Sequence, residues 1–231
     1  MCGRYSLAGT LDEIAAAFCA DDTNDGLWPS EGSYNIAPAA VVPVIALNGQ
    51  GRRAVVPMRW GLHPHWSKSM PEGRPMFNAR LETAADKPSF RTPWKRRRAL
   101  LPFDGWYEWE GVETPKQPYY IYESEQAGPS AFAGLWDQYR VDEGITLLSA
   151  TILTTAATGD MKHLHHRMPV RLPRELWDAW LEPDAKPDAL IAHKLGSEDL
   201  AWHTVSRAVN SGRASGAELI EKITASNSDV L

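Results

Sequence analysis

From Arg98 to Ala156 the chain is a succession of strand-like runs, and this limits its architecture more than any other feature. The runs are "RALLPFDGWYEW", "QPYYIYE", "AFAGLWDQYR" and "ITLLSATILTTA", rich in β-branched and aromatic residues. They do not alternate regularly with helical segments. The pattern therefore predicts an antiparallel α+β domain rather than a doubly wound parallel sheet. Gly105 interrupts the first run and marks a bend or a close backbone approach. Upstream, "VVPVIALNGQGRRAVVPMRWG" reads as a hairpin around Asn48-Gly49, with Pro43 placing its first arm at a sheet edge or a bulge.

Helical signals are short. Thr10 and Glu13 form a capping-box pattern opening a helix to about Ala20, and Cys19 on this segment is expected to pack in the core. Pro173 suits the first turn of a helix whose Leu176, Trp177 and Trp180 share one face. Another short helix is predicted over 187–195, and "ELIEKI" precedes a polar tail expected to fray.

The 231 residues are enough for one sizeable core, and one domain is the economical reading. No apolar run approaches the ~20 residues of a membrane span, and no secretory leader is visible. Two cysteines cannot build a disulfide framework and fit a reducing, cytoplasmic setting. A net charge of −5 gives no general affinity for nucleic acid, so any phosphate-binding surface must be a local basic groove. The ten tryptophans point first to an aromatic core, with exposed stacking surfaces as the other use.

The chain opens "MCGRYSL". Removal of Met1 would leave an α-amine and a thiol on Cys2. The amine titrates near ~7.7–8.0 and the thiol near ~8.5. Such a 1,2-aminothiol condenses with an aldehyde to an imine, and the neighbouring sulfur then closes a five-membered thiazolidine. That second step is intramolecular and gains from high effective molarity. A second residue without function is the plain alternative.

Three further stretches carry candidate chemistry. In "MFNARLET", Asn78, Arg80 and Glu82 share one face if the chain is extended, a set suited to phosphate or carbonyl recognition; an Arg–Glu pair beside a turn is the simpler reading. In "PFDGWYEWE", Glu108 lies between Trp106 and Trp109. In an aromatic-walled pocket its pKa would rise and it would serve as general acid and base. A solvent-facing Glu on a sheet is the alternative. In "MKHLHHRMPV", His163, His165 and His166 crowd together, but no suitable further ligand stands near, and one His as proton shuttle or donor fits better than a metal.

In order along the chain, "MCGRYSL", "YNIAP", "WGLHPHW", "FNARLET", "LPFDGWYEW", "KQPYYIY", "HHRMPV" and "VSRAVN" resemble the signature blocks of the SRAP family, the SOS response-associated peptidases. The resemblance implies a single SRAP-type domain over 2–222 with curved antiparallel β-sheets approaching a barrel, peripheral helices, and a flexible tail over 223–231. It implies a sensor of abasic sites in single-stranded DNA, with Cys2 as crosslinking nucleophile, Asn78 beside the N-terminal amine, and Glu108 and His165 as the other catalytic groups. AP-lyase activity and autocatalytic release of Met1 are implied with it, as is association with the nucleoid when engaged. No cofactor, metal, membrane or obligate protein partner is implied, and a monomer is the default. Arg4, Arg80 and Arg167 become candidate phosphate contacts, Pro38 and Trp66 candidate wedging or stacking positions, and Thr154 a weaker contact. Within "WKRRR", only Arg98 matches a family position. His166 stands where some relatives carry an acidic residue, and Ser67 where some carry a second aromatic. The competing readings are an N-terminal-nucleophile amidotransferase, whose glutamine-binding motifs are missing from the chain, and a non-catalytic binder of single strands or modified bases.

Overall fold

Why the run from Arg98 to Glu110 cannot be one strand is visible at Asp104. In a computed structural model, which describes residues 2–22, 28–69, 75–110, 116–124, 128–142 and 144–223, the chain turns there from one sheet into another. The strands are β1 (Tyr5–Ala8), β2 (Asp21–Asp22), β3 (Gly32–Ile36), β4 (Val41–Leu47), β5 (Arg53–Trp60), β6 (Asn78–Arg80) and β7 (Arg98–Phe103). After the turn come β8 (Gly105–Glu110), β9 (Gln117–Glu123), β10 (Ser130–Asp142), β11 (Ile145–Ala156), β12 (Arg167–Pro169) and β13 (Leu200–Thr204). The helices are short: α1 (Leu11–Ala17), α2 (Leu81–Ala84), α3 (Arg91–Arg96), α4 (Met161–Leu164), α5 (Trp177–Leu181) and α6 (Pro187–Ile191).

β7 belongs to a sheet in the order β12-β11-β10-β7-β4-β5-β2, which closes on itself because β5 also pairs with β11. Five strands, β4, β5, β11, β10 and β7, thereby make a small barrel. The closing pair is parallel, with Ser149 opposite Arg59 and Ala150 opposite Trp60. β8 belongs to the second sheet, ordered β13-β9-β8-β1-β3. The fold is thus α+β with mostly antiparallel pairing, as the run of strands predicts. At the crossing, Asp104 N donates to Ser6 O at 2.9 Å and Ala8 N donates to Asp104 Oδ2 at 2.6 Å, so both backbone and side chain fix the turn. Gly105 is needed for close approach: a Cβ there would stand 2.6 Å from the Ile121 carbonyl and 2.3 Å from the Tyr120 ring.

The main core fills the space between barrel and second sheet. Phe132 of β10 stacks on Phe103 at 3.8 Å between centroids and meets the edge of Trp106 at 5.7 Å. Fully enclosing aromatic groups of this size contributes about 1.5–3 kcal/mol each. A smaller cluster of Tyr107, Tyr120, Val205, Val209 and Leu219 covers the other face of β8 and β9. Both faces of β8 are therefore buried, and this decides the environment of Glu108.

Several expectations change. The hairpin spans Asn48 to Arg52 rather than two residues, with Asn48 Oδ1 accepting from Gln50 N at 2.9 Å and Arg52 N at 3.1 Å. β4 is not an edge strand: it lies between β5 and β7, and Pro43 faces Pro57 with pairing to β7 confined to Ile45 and Leu100. α1 has its capping box, but it stops at Ala17. Cys19, at φ 48°, is turned out of the helix and exposed rather than packed in the core. The tail lies outside the described residues from 224 onward. Among the described residues no helix is long and apolar enough to cross a membrane.

Candidate functional site

β1 pairs antiparallel with β8, Tyr5 opposite Trp106, and Tyr107 N donates to Arg4 O at 2.9 Å. Continuing that register brings Gly3 opposite Glu108, so the terminus runs along the strand that carries the carboxylate. Cys2 is 1% exposed and Glu108 3%. Burial first, then the Glu108 carboxylate, push the Cys2 thiol up. Burial pushes Glu108 itself up to about 7. Strand alternation explains this. Trp106 and Glu108 share the core face, while Tyr107 and Trp109 take the face under the smaller cluster. The alternative of a solvent-facing Glu108 is overturned.

Asn78 begins β6, which pairs parallel with β11, and its Nδ2 donates to the carbonyl of Cys2 at 2.8 Å. The Oδ1 of Asn78 is buried with no partner among the described residues. The extended face of the sequence reading ends at Arg80, because α2 starts at Leu81. Glu82 therefore leaves that face. It takes Arg167 instead, in a two-pronged pair at 2.7 and 2.8 Å that holds the Glu82 carboxyl below its ordinary range.

His165 follows α4, which packs against β8. Its Nδ1 lies 2.9 Å from the backbone N–H of Arg167. The Arg167 carbonyl oxygen stands 3.0 Å from the same Nδ1: accepting from the N–H puts the proton of the neutral ring on Nε2, and donating to the carbonyl keeps it on Nδ1. Burial first, then the positive charge of the N-terminal amine, with smaller contributions from His166 and Arg167, push the imidazole down to about 4. His166 stacks on it at 4.3 Å between ring centroids. His163 and His166 are exposed. Among the described residues no group of three His, Cys, Asp or Glu side chains stands close enough to hold a metal ion.

The residues expected along a DNA strand fall into two groups. Arg80 and Trp66 are exposed, Trp66 by 54%, with its indole fixed by a bond to the Pro88 carbonyl at 3.3 Å. Pro38 is half-buried. Arg4 and Arg167 are committed to protein: Arg4 Nη1 donates to Asn35 Oδ1 at 2.6 Å and to the Val209 carbonyl at 3.1 Å, and Arg167 holds Glu82 and the Thr154 carbonyl. Thr154 is fully buried, so its side chain offers nothing to a strand on the surface; its hydroxyl lies 3.4 Å from the Ala79 carbonyl. Arg98 is also buried, donating to the carbonyls of Trp180, Trp94, Lys95 and Glu182, and adds nothing to an electrostatic patch.

Residues 1–212 match the family described as SOS response associated peptidase (SRAP). The chain is 36% identical over 228 residues to the abasic site processing protein YoqW of Bacillus subtilis, covering 96% of this chain and 99% of that one. It is 31% identical to the abasic site processing protein YedK of Escherichia coli over 229 residues, covering 96% and 100%. A solved structure from Bacteroides thetaiotaomicron superimposes with a TM-score of 0.83 at 22% identity, covering 96% of this chain and 100% of that one. A phage-related protein from Bordetella bronchiseptica gives 0.70 at 29% identity, covering 89% and 95%.

Proposed function

Since the chain belongs to the SOS response associated peptidase (SRAP) family, we propose that it processes abasic sites in single-stranded DNA by capturing them covalently on Cys2. The observation that carries this reading is the anchoring of Cys2 by Asn78 at 2.8 Å, beside a buried Glu108 poised to titrate at about 7. An abasic deoxyribose opens to an aldehyde. With Met1 removed, the α-amine of Cys2 adds to that carbonyl and water leaves, giving an imine. The Sγ–H of Cys2 then adds across the C=N bond and a thiazolidine results.

Each neighbour has a task in this sequence. Asn78 fixes the Cys2 carbonyl, and its Oδ1 accepts from the amine, which holds the nitrogen toward the sugar. Glu108 can carry a proton near neutral pH, so it delivers one to the departing hydroxyl, leaving an iminium, and takes one back from the Cys2 thiol as the sulfur closes the ring. His165 is neutral there and, in the tautomer whose Nδ1 accepts from the Arg167 N–H, presents Nε2–H to the ring oxygen or the opened hydroxyl. At the imine stage, loss of a proton from the adjacent carbon would expel the 3′ phosphate, which accounts for lyase activity. Release of Met1 by the same groups is the peptidase part of the reading. Arg80 supplies phosphate contact and Trp66 a stacking surface, both indifferent to base sequence.

The test is direct. Met1-free protein mixed with single-stranded DNA carrying one abasic site should give an adduct that survives denaturant, and Cys2→Ala should abolish it while leaving weak borohydride-trappable imine. An equally durable adduct from Cys2→Ala overturns the mechanism.

A further inference from the structure

A cleft of about 410 Å³ lies beside Trp66, lined by His65, Trp66, Pro88, Arg91 and Thr92. Its size is within the ~300–1,000 Å³ of small-ligand sites. One wall is the indole of Trp66, held by its bond to the Pro88 carbonyl at 3.3 Å. Arg91 opens α3 and is exposed, and among the described residues its guanidinium holds no hydrogen bond or ion pair. His65, by contrast, is fixed from behind. The side chain of Asp137, on β10, is 1% exposed, and its Oδ2 stands 2.8 Å from His65 Nδ1 and accepts from His65 N at 3.0 Å. Its Oδ1 takes the Gln138 N–H at 2.9 Å and the Arg97 guanidinium. A carboxylate only accepts, so Nδ1 is the donor. The imidazole remains 40% exposed and borders the cleft, with Nε2 on the edge turned away from Asp137.

The bond to Asp137 decides what the free edge can bind. A neutral ring with its proton on Nδ1 offers only a lone pair at Nε2, which a phosphate oxygen cannot use. A charged ring donates there. The charged groups around the ring are Asp137 and Arg97 behind it and Arg91 on the same cleft, while His63 is turned inward, edge-on to Tyr139 at 4.3 Å between centroids. Arg97 balances Asp137, so no surplus negative charge behind the ring repels an anion. We propose that this cleft seats one nucleotide of the bound strand: its base lies on Trp66, and its phosphate takes Nε2–H of charged His65 and the guanidinium of Arg91. That the strand is the one carrying the abasic site rests on the functional reading above. Phosphate on Nε2 favours the charged ring, so the strand binds with uptake of a proton and more tightly as pH falls.

The probe is a labelled, undamaged oligothymidylate, which offers no aldehyde to Cys2. Its affinity for Met1-free protein is read by anisotropy over a salt series at about pH 6 and about pH 8.5. His65→Asn keeps an N–H near the place of Nδ1 for Asp137 and can take no charge. At the lower pH it should bind about tenfold more weakly than the parent, with a log–log salt slope flatter by about 0.7, and at the higher pH like the parent. Arg91→Ala should lose about tenfold at both. Neither should change the unfolding temperature, since Asp137 keeps Arg97 and two backbone donors and Arg91 is exposed. Parent-like affinity of either variant at the lower pH overturns the assignment, and so does an equal loss in His65→Asn at both. Competition by thymidine 5′-monophosphate as strong as by the strand would make the cleft a free-nucleotide site and also overturns it. A parent whose binding depends on His65 in this way, yet forms no durable adduct on abasic DNA, overturns the functional reading and leaves the cleft standing.

Discussion

The amide of Asn78 donates from Nδ2 to the carbonyl of Cys2 across 2.8 Å, tying the terminus to β6. A bond of this kind stabilises by about 0.5–1.5 kcal/mol net, and its effect on rate depends on how far the terminus wanders without it. Asn78→Ala should slow adduct formation about tenfold while leaving affinity for undamaged single strands unchanged. Asn78→Asp has nearly the same shape but cannot donate when ionised, so it should be no faster than the alanine variant. Single-turnover gels with excess protein measure both; parent-like rates in both variants remove the anchor from the mechanism.

Glu108 and His165 are displaced in opposite directions, to about 7 and about 4. Near pH ~6 the carboxyl is mostly protonated and the imidazole neutral, the reverse of their order in water, and such a separation marks distinct proton-handling roles. Adduct formation should therefore lose rate as Glu108 ionises above about 7. Glu108→Gln should remove that alkaline limb and cost about 10²–10⁴ in rate. Stability follows with a definite sign. Glu108 has a folded pKa above its unfolded one, so its contribution is complete below the ordinary carboxylate range and disappears as pH rises through about 7. His165, shifted down, contributes a slope of the opposite sign, lost as pH falls toward about 4, and weaker because the ring is only partly buried. Between about pH 5 and about pH 8, denaturant titration should show the parent losing about 2–3 kcal/mol relative to Glu108→Gln. Parallel stability curves for the two proteins would mean that the carboxyl is not held in an apolar site.

How far the chain announces this arrangement depends on the range of the interaction involved. Local signals read true: the capping box at Thr10 and Glu13, the close approach at Gly105, and the run that becomes β11 from Ile145 to Ala156 are each settled by near neighbours. Long-range pairing does not show in a single sequence. Nothing near Arg59 or Ser149 says that β5 and β11 meet and close a barrel. Strand alternation predicts Glu82 on the face of Asn78 and Arg80, yet α2 begins one residue before it and Arg167, 85 positions away, claims its carboxylate. Motif blocks single out Cys2, Asn78, Glu108 and His165 as candidates, and for Glu108 the sequence leaves a buried and a solvent-facing side chain both open. Glu108 is buried on the core face of β8, away from the smaller cluster, and what packs there is distant in sequence: α4 at Met161–Leu164 lies against β8, and the chain's first strand runs alongside it.

The family resemblance singles out both Arg80 and Arg98, but their surroundings differ. Arg80 is exposed at the end of β6, whereas Arg98 is 2% exposed and spends its guanidinium on the carbonyls closing α3 and α5. Replacing an exposed phosphate contact removes one counterion-release event. Arg80→Ala should therefore weaken binding to every single-stranded sequence alike and flatten the log–log salt dependence by about 0.7. Arg98→Ala leaves several buried carbonyls without donors and should cost about 3 kcal/mol of stability, with the salt slope of the folded protein unchanged. Fluorescence anisotropy on oligonucleotides of differing sequence over a salt series, paired with thermal unfolding, separates the two effects. A base-sequence preference that disappears with Arg80 would show that it reads bases rather than phosphates. A flattened slope in folded Arg98→Ala would show that its guanidinium reaches DNA after all.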